Sequence, residues 1–370
     1  MGDRKENAIS HIDWGSIRCG HIHPRTPPMN QALPATAALP VPNRPRRWPR
    51  RLGGGLLALA AVLVAGGVAL FAVDTPVPLG PEPAGLADPL PPAHPPAGLA
   101  FSVLQTGVSD GAAEALIVGR GRWTVHRRPS QSAVLVRHPS GLLLFDSGLG
   151  RQVDTQFAAN AWRHRVMFGY QRAGHLPVVD QLERAGWDPK QVRAIIPSHM
   201  HWDHVSGLAD FPDAEVWVTP QEREGATHGH APAFLASQFA GVTRWHDVRF
   251  DGPARLGFPA SHDVFGDGSV VLLPMGGHTA GQTGLLLRLP SGATYLFTGD
   301  VTWTIEGVTQ ASDRSWLLRH LLPLDHDEAA NRAVIAHLHQ LSRRHPGIRI
   351  VPAHDENVLE TLPKFPALSP

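Results

Sequence analysis

The stretch Ser198-His199-Met200-His201-Trp202-Asp203-His204 carries three imidazoles and a carboxylate in the pattern His-x-His-x-Asp-His. Neutral imidazole and carboxylate are ligands for zinc and neighbouring divalent metals. One short loop with this spacing can aim donors at two ions at once, whereas a polar surface loop has no need of such clustering. A two-metal site needs about six or seven protein donors, so further ligands must come from elsewhere in the chain. Three segments offer them: His278 in Gly276-Gly277-His278-Thr279, Asp300 at the end of Thr298-Gly299-Asp300, and His354 in Pro352-Ala353-His354-Asp355. Alone, each is bland.

Their placement makes them a set. Short apolar runs that read as strands precede every one: Ala194–Ile196, Val270–Leu273, Tyr295–Phe297 and Ile348–Val351. Four donor segments at four strand ends bring their side chains to one edge of a sheet system. Strand-like and helical runs alternate, which indicates an α/β class. Ala133–Arg137 and Leu142–Phe145 read as a hairpin joined at His138-Pro139-Ser140-Gly141. Pro177–Ala185 reads as a helix with proline in its first turn and Gly186 beyond its end. Asp327–Arg343 reads as another, with Ala330, Val334, Leu338 and Leu341 on one face. Glu222–Phe239, with His228 and His230, reads as a flap beside the site whose histidines are solvated.

These motifs together resemble the metallo-β-lactamase-fold hydrolases from Phe101 to the C-terminus. The Phe145-Asp146-Ser147-Gly148 stretch is similar to that family's early strand-end motif. The resemblance implies a four-layer αβ/βα sandwich with the metal site on the edge between two sheets. It implies that His199, His201 and His278 bind one metal, that Asp203, His204 and His354 bind the second, and that Asp300 bridges them. It also implies catalysis by a hydroxide held between two divalent ions, with Asp203 orienting it and receiving its proton. Zinc is the expected metal at both positions; iron, manganese and cobalt suit the same N/O donors. Asp146 is read either as a partner to a ligand imidazole or as a turn cap.

For the substrate, the bridging Asp300 argues against β-lactam hydrolysis, because the true β-lactamases lack it. The helix 327–343, His354-Asp355 and Phe365-Pro366 resemble the N-acyl homoserine lactone lactonase branch. A small-molecule lactone or ester is therefore expected, with phosphodiester or thioester as the alternatives. That branch carries a tyrosine where this chain has Trp303, a residue read as a pocket wall or a core tryptophan. Trp202 is likewise read as a pocket wall or packing residue.

The remaining sequence bounds organisation. Residues 1–51 hold nine basic and three acidic residues, and the rest of the 370-residue chain holds 24 and 29. No concentrated basic patch of the kind that binds nucleic acid appears in the larger part. The single cysteine, Cys19, excludes an intrachain disulfide. Residues 1–51 read as a disordered basic segment, with Met29 as an alternative start that would leave 1–28 outside the native protein. Leu52–Val73 is uncharged and, at about 1.5 Å per residue, long enough to cross a hydrocarbon core of roughly 30 Å. Preceding arginines would place its start in the cytoplasm. The expectation is a membrane anchor with the enzyme in the periplasm or outside the cell, or a secreted enzyme if the run is a cleaved signal. Prolines crowd residues 74–100, which read as a semi-rigid spacer. Residues 101–370 form the expected hydrolase domain.

Overall fold

The computed structural model describes residues 50–370, with the side chains of 50–53 and 70–72 left aside. The basic segment 1–49 and the alternative start at Met29 lie outside the described residues. The chain divides after Leu56. Of the first unit, the described residues 50–56 are helical. The second unit, from Leu57 onward, carries the sheets and the donor segments.

Six strands build the first sheet: β1 (Ala100–Val108), β2 (Ser130–His138), β3 (Gly141–Phe145), β4 (Val192–Ile196), β5 (Glu215–Val218) and β6 (Trp245–Asp247), in that spatial order. Five build the second: β7 (His262–Asp263), β8 (Val270–Pro274), β9 (Thr283–Arg288), β10 (Thr294–Phe297) and β11 (Ile348–Val351), ordered β11-β10-β9-β8-β7. The expected hairpin is β2–β3, with His138 opposite Gly141. The two expected helices appear as Val178–Arg184 and Glu328–Arg344. In the second, the Asp327 side chain accepts from the Ala330 N–H and so caps the first turn.

Alternate residues along each central strand face opposite layers. Val134, Val136, Leu143 and Phe145 pack with Val270, Leu272, Leu285 and Phe297 between the sheets. The intervening Ala133, Leu135 and Leu144 meet Val178, Val179 and Leu182 of an outer helix. On the other side, Val271, Leu273 and Leu286 meet Ile335, Leu338 and Leu341. Both faces of both sheets are thus covered, which explains why the strands read as near-continuous apolar runs. This is a mixed α/β sandwich of the kind the motifs implied.

Two expectations are corrected. Leu52–Val73 lies within a helix, Arg50–Val73, but among the described residues no helix is long and apolar enough to cross a membrane.

The proline-rich stretch does not stand free of the domain. Val77 and Leu86 are buried in the cluster under the second sheet. Val77 N–H donates to the Ala311 carbonyl at 2.7 Å, Gln340 Nε2 to the Leu79 carbonyl at 2.8 Å, and Glu82 pairs with Arg344 at 3.0 Å. Proline removes the segment's own secondary structure without preventing its other side chains from packing. Leu86 is fully buried, so Leu86→Ala is expected to lower the unfolding free energy by about 2–5 kcal/mol. Denaturant titration of the full chain checks this, and an unchanged midpoint would mean the segment is only a tether.

Candidate metal centre

All seven residues singled out as ligands converge on one edge of the sandwich. Three overlapping groups have donor atoms within 4.8 Å of one another: His199, His201 and His278; His199, His204 and Asp300; and Asp203, His204 and His354. Asp300 lies among them. Its Oδ1 is 3.1 Å from His354 Nε2 and 3.3 Å from His204 Nε2, and its Oδ2 is 3.7 Å from His278 Nε2.

The backbone that carries these donors is stitched together between strand ends. The Thr283 N–H donates to the Ser198 carbonyl, the Thr298 N–H to Val351, and the Ala353 N–H to Gly299. Gly299 adopts φ +54°, and a Cβ there would meet the Ser198 side chain at 2.9 Å, so the turn into Asp300 requires glycine.

Asp146 takes the left-handed region, φ +61°, which turns its carboxylate back across the ligand loop. Oδ1 accepts from the Ser198 N–H at 2.6 Å. Oδ2 is 3.1 Å from Ser198 Oγ and 2.9 Å from His204 Nδ1. The residue therefore clamps a histidine and the start of its loop; it does not merely cap a turn.

Hydrogen bonds fix which ring nitrogen faces inward, because a histidine whose Nδ1–H is donated elsewhere presents a bare Nε2. His204 donates to Asp146. His354 Nδ1 donates to the Ser130 carbonyl at 2.7 Å, and His278 Nδ1 to Asp325 at 2.7 Å. His199 Nδ1 lies 3.0 Å from Ser198 Oγ, whose own hydrogen goes to Asp146. His199 Nε2, His204 Nε2 and Asp300 Oδ1 are buried without a hydrogen-bond partner. His278 Nε2 and His201 Nδ1 are 3.0 Å apart, a spacing at which two ring nitrogens must share either a proton or a cation.

The electrostatics ask for positive charge. Burial, then the neighbouring imidazoles, holds His199 and His201 well below the usual histidine range, so both are neutral donors. Burial also opposes a charge on His204, yet Asp146, Asp203 and Asp300 together raise it well above the usual range. Burial alone would raise Asp300, but His354 and His204 draw it well below the carboxylate range. Orphaned ring nitrogens beside ionised carboxylates in a buried pocket fit divalent ions.

Access is one-sided. His199, His204, His278, Asp300 and His354 are buried, whereas His201 and Asp203 are half-buried. The Phe234 ring stands 4.8 Å from that of His201, and half-buried Trp303 stands edge-on to His354. Trp303 Nε1 donates to Asp300 Oδ2 at 2.8 Å. Trp202 is a packing residue, 4.3 Å from the Phe157 ring. In the flap, Pro220–His228 is helical, and His228 and His230 are exposed.

Three residues outside the motifs complete the surroundings. Buried Glu222 accepts from the Met200 N–H at 2.7 Å and the Gly281 N–H at 3.0 Å, tying the first ligand loop to the second. Its signal in the sequence is a capping pattern, Thr219-Pro220-Gln221-Glu222, in which the Thr219 hydroxyl accepts from the Glu222 N–H. Asp325 and Arg314 flank His278 and have no local signal beyond charge.

Fold and site define a metal-dependent hydrolase. The chain belongs to the metallo-β-lactamase superfamily, whose family model matches residues 126–334. A probable metallo-hydrolase of Mycobacterium tuberculosis is 31% identical over 247 residues, 61% of this chain and 75% of that protein. The N-acyl homoserine lactonase AttM of Rhizobium johnstonii is 31% identical over 185 residues, 46% of this chain and 65% of that protein. Among solved structures, B. thuringiensis AiiA with N-decanoyl-L-homoserine at its active site superposes with a TM-score of 0.56 at 18% identity, covering 74% of this chain and 100% of that one. The last similarity concerns the fold.

Proposed function

We propose that this chain is a dinuclear hydrolase of lactones or related carboxylic esters, with His199, His201 and His278 holding one divalent ion, Asp203, His204 and His354 the other, and Asp300 between them. The observation that carries the reading is the convergence of seven donor residues on one edge, with the Nδ1–H of His204, His278 and His354 already taken by Asp146, Asp325 and the Ser130 carbonyl. Two zinc ions suit the nitrogen and carboxylate donors, and when bound they supply Lewis acidity toward a carbonyl oxygen and a water of lowered pKa.

The protein's own residues then have distinct tasks. His201 and Asp203 sit at the open side, so the carbonyl approaches there. Asp203 is the carboxylate with access to both water and substrate, and it takes up the proton released by the attacking water. Phe234 and Trp303 form apolar walls that exclude water and receive an acyl or alkyl portion. Trp303 spends its single N–H on Asp300 and so has no donor left for the substrate.

Lactone or ester is favoured over phosphodiester by where the nearby cation goes. Arg314 is buried and paired with Asp325 at 2.9 Å, so it cannot meet phosphate oxygens at the open side. The named activity of the AttM relative supports the same choice. A hydrolysis panel on the zinc-loaded full chain tests it with acyl homoserine lactones, aryl esters, phosphodiesters, thioesters and a cephalosporin. Lactones or esters should have the highest kcat/KM, and a clear preference for phosphodiesters would overturn the substrate class.

Trp303→Phe keeps the wall and removes the donor to Asp300. A hydrogen bond to a charged group contributes about 1.5–3 kcal/mol, so kcat should fall by about tenfold or more with KM nearly unchanged. Steady-state kinetics decides: a raised KM with kcat intact would place the indole N–H on the substrate instead.

A further inference from the structure

We propose that Arg314 and Asp325 are positioning residues that hold His278 and Asp300 in register, so that together they set the affinity of the metal position formed by His199, His201 and His278. The inference rests on the dinuclear metal-site reading and assigns a role to two residues outside every ligand motif.

The Asp325 side chain is buried, and each of its oxygens is engaged. Oδ1 takes the His278 Nδ1–H at 2.7 Å and the Arg314 Nη1–H at 2.9 Å. Oδ2 takes the Asn331 amide at 3.3 Å. The aspartate thereby selects the His278 tautomer whose Nε2 is bare and faces His201. Its segment is laced to the histidine's own: His326 N–H donates to the His278 carbonyl and Asp327 N–H to that of Gly277. Gly277 makes this possible, since a Cβ there would stand 2.4 Å from the Asn331 nitrogen.

Arg314 extends the hold to the bridging residue. One arm of the guanidinium reaches Asp325, and Nη2 donates to the main-chain carbonyl of Asp300. The guanidinium carbon also lies 5.0 Å from the centre of the Trp303 ring, within cation–π range. Trp303 in turn donates to Asp300 Oδ2. A single rigid fork therefore grips Asp300 through its backbone and through Trp303, and grips His278 through Asp325. Lysine, a single point charge on a flexible stem, could not make these contacts together.

Cost supports a positioning role. Arg314 and Asp325 have side chains only 1% and 3% exposed. Burying such a pair sacrifices hydration that an apolar pair would not have to give up, so its presence is weak evidence for stability as such. Outer partners of metal-binding histidines typically contribute 10- to 100-fold in metal affinity.

Zinc alone is the probe. The full chain and its variants are titrated with zinc against a chromophoric chelator, with bound metal counted after dialysis and folding followed by circular dichroism and thermal unfolding. Wild type is expected to hold two zinc ions. Asp325→Asn and Arg314→Lys should each weaken one of them by about 10- to 100-fold and leave the other in place. Asp325→Glu, which retains a carboxylate, should recover most of the affinity. Asp146→Asn, across the site, should weaken the other ion. Wild-type affinities for both ions in Asp325→Asn and Arg314→Lys would overturn the inference, as would an Asp325→Glu variant no better than Asp325→Asn. If one variant fails to fold, the remaining two decide by the same criteria. A wild-type chain that binds no second zinc would instead refute the dinuclear reading itself.

Discussion

Stripping metal from the chain with a chelator should abolish hydrolysis, and adding back zinc or manganese should restore it. The expected loss is at least about a thousandfold: bound divalent ions supply several kcal/mol of transition-state stabilisation, and each 1.36 kcal/mol is tenfold in rate. Among the described residues the cluster offers no serine or cysteine nucleophile at its open side. The residues that meet there are His201 and Asp203 between aromatic walls, and the inward nitrogens of His199 and His204 have no hydrogen-bond partner. The only cysteine, Cys19, lies outside the described residues and outside the residues matched to the family. The measurement is initial rate against chelator concentration, then against returned metal. Activity that survives verified metal removal would refute the mechanism.

The second large effect is at Asp203. Asp203→Ala should lower kcat/KM by about a hundredfold to ten-thousandfold, the range over which positioned proton acceptors act. His228→Ala should change it less than about twofold, in keeping with surface substitutions away from special features. Asp203 Oδ2 lies 3.4 Å from His354 Nε2 and 3.9 Å from His204 Nε2, and it is the half-buried carboxylate of the cluster. On the proposed reading, truncation removes a metal donor and the proton acceptor together. His228 is exposed, with its ring nitrogen 3.0 Å from the Glu224 carbonyl one helical turn away. Asp203→Asn separates the contributions, since it keeps size and an oxygen donor while losing charge and basicity. Equal kinetic effects at positions 203 and 228 would mean that the site has been misplaced.

The proline-rich stretch and the apolar run show where local rules mislead. Proline density speaks only of hydrogen bonds the segment cannot make with itself. It says nothing of whether Leu86 finds a cavity, and Leu86 is buried in one cluster with Leu338 and Leu341. An uncharged run of sufficient length likewise suggests a membrane span, yet among the described residues no helix meets the length and apolarity that crossing requires.

Elsewhere the local signals are sufficient. Metal-binding side chains are few in type, and their chemistry demands particular spacing, so His199, His201, Asp203 and His204 announce themselves. His278, Asp300 and His354 join them because each follows a short apolar run, and such runs become strands of a covered sheet. The β2–β3 turn and the two expected helices follow from proline, glycine and apolar period, which act within a few residues.

The candidate donors, the strands that carry them and the α/β class can therefore be read in one dimension. The groups that stand behind the donors cannot. Asp325 reads as one acid among several before a helix, Arg314 as one arginine among many, and Glu222 as part of a cap. Their roles depend on distances between segments far apart in the chain: Arg314 to Asp300, Asp325 to His278, Glu222 to Gly281. Ligand identity is a property of a side chain's own atoms, so the bare string of residues preserves it. Orientation, tautomer and shielding are properties of neighbours, and neighbours exist only once the two sheets have closed on each other.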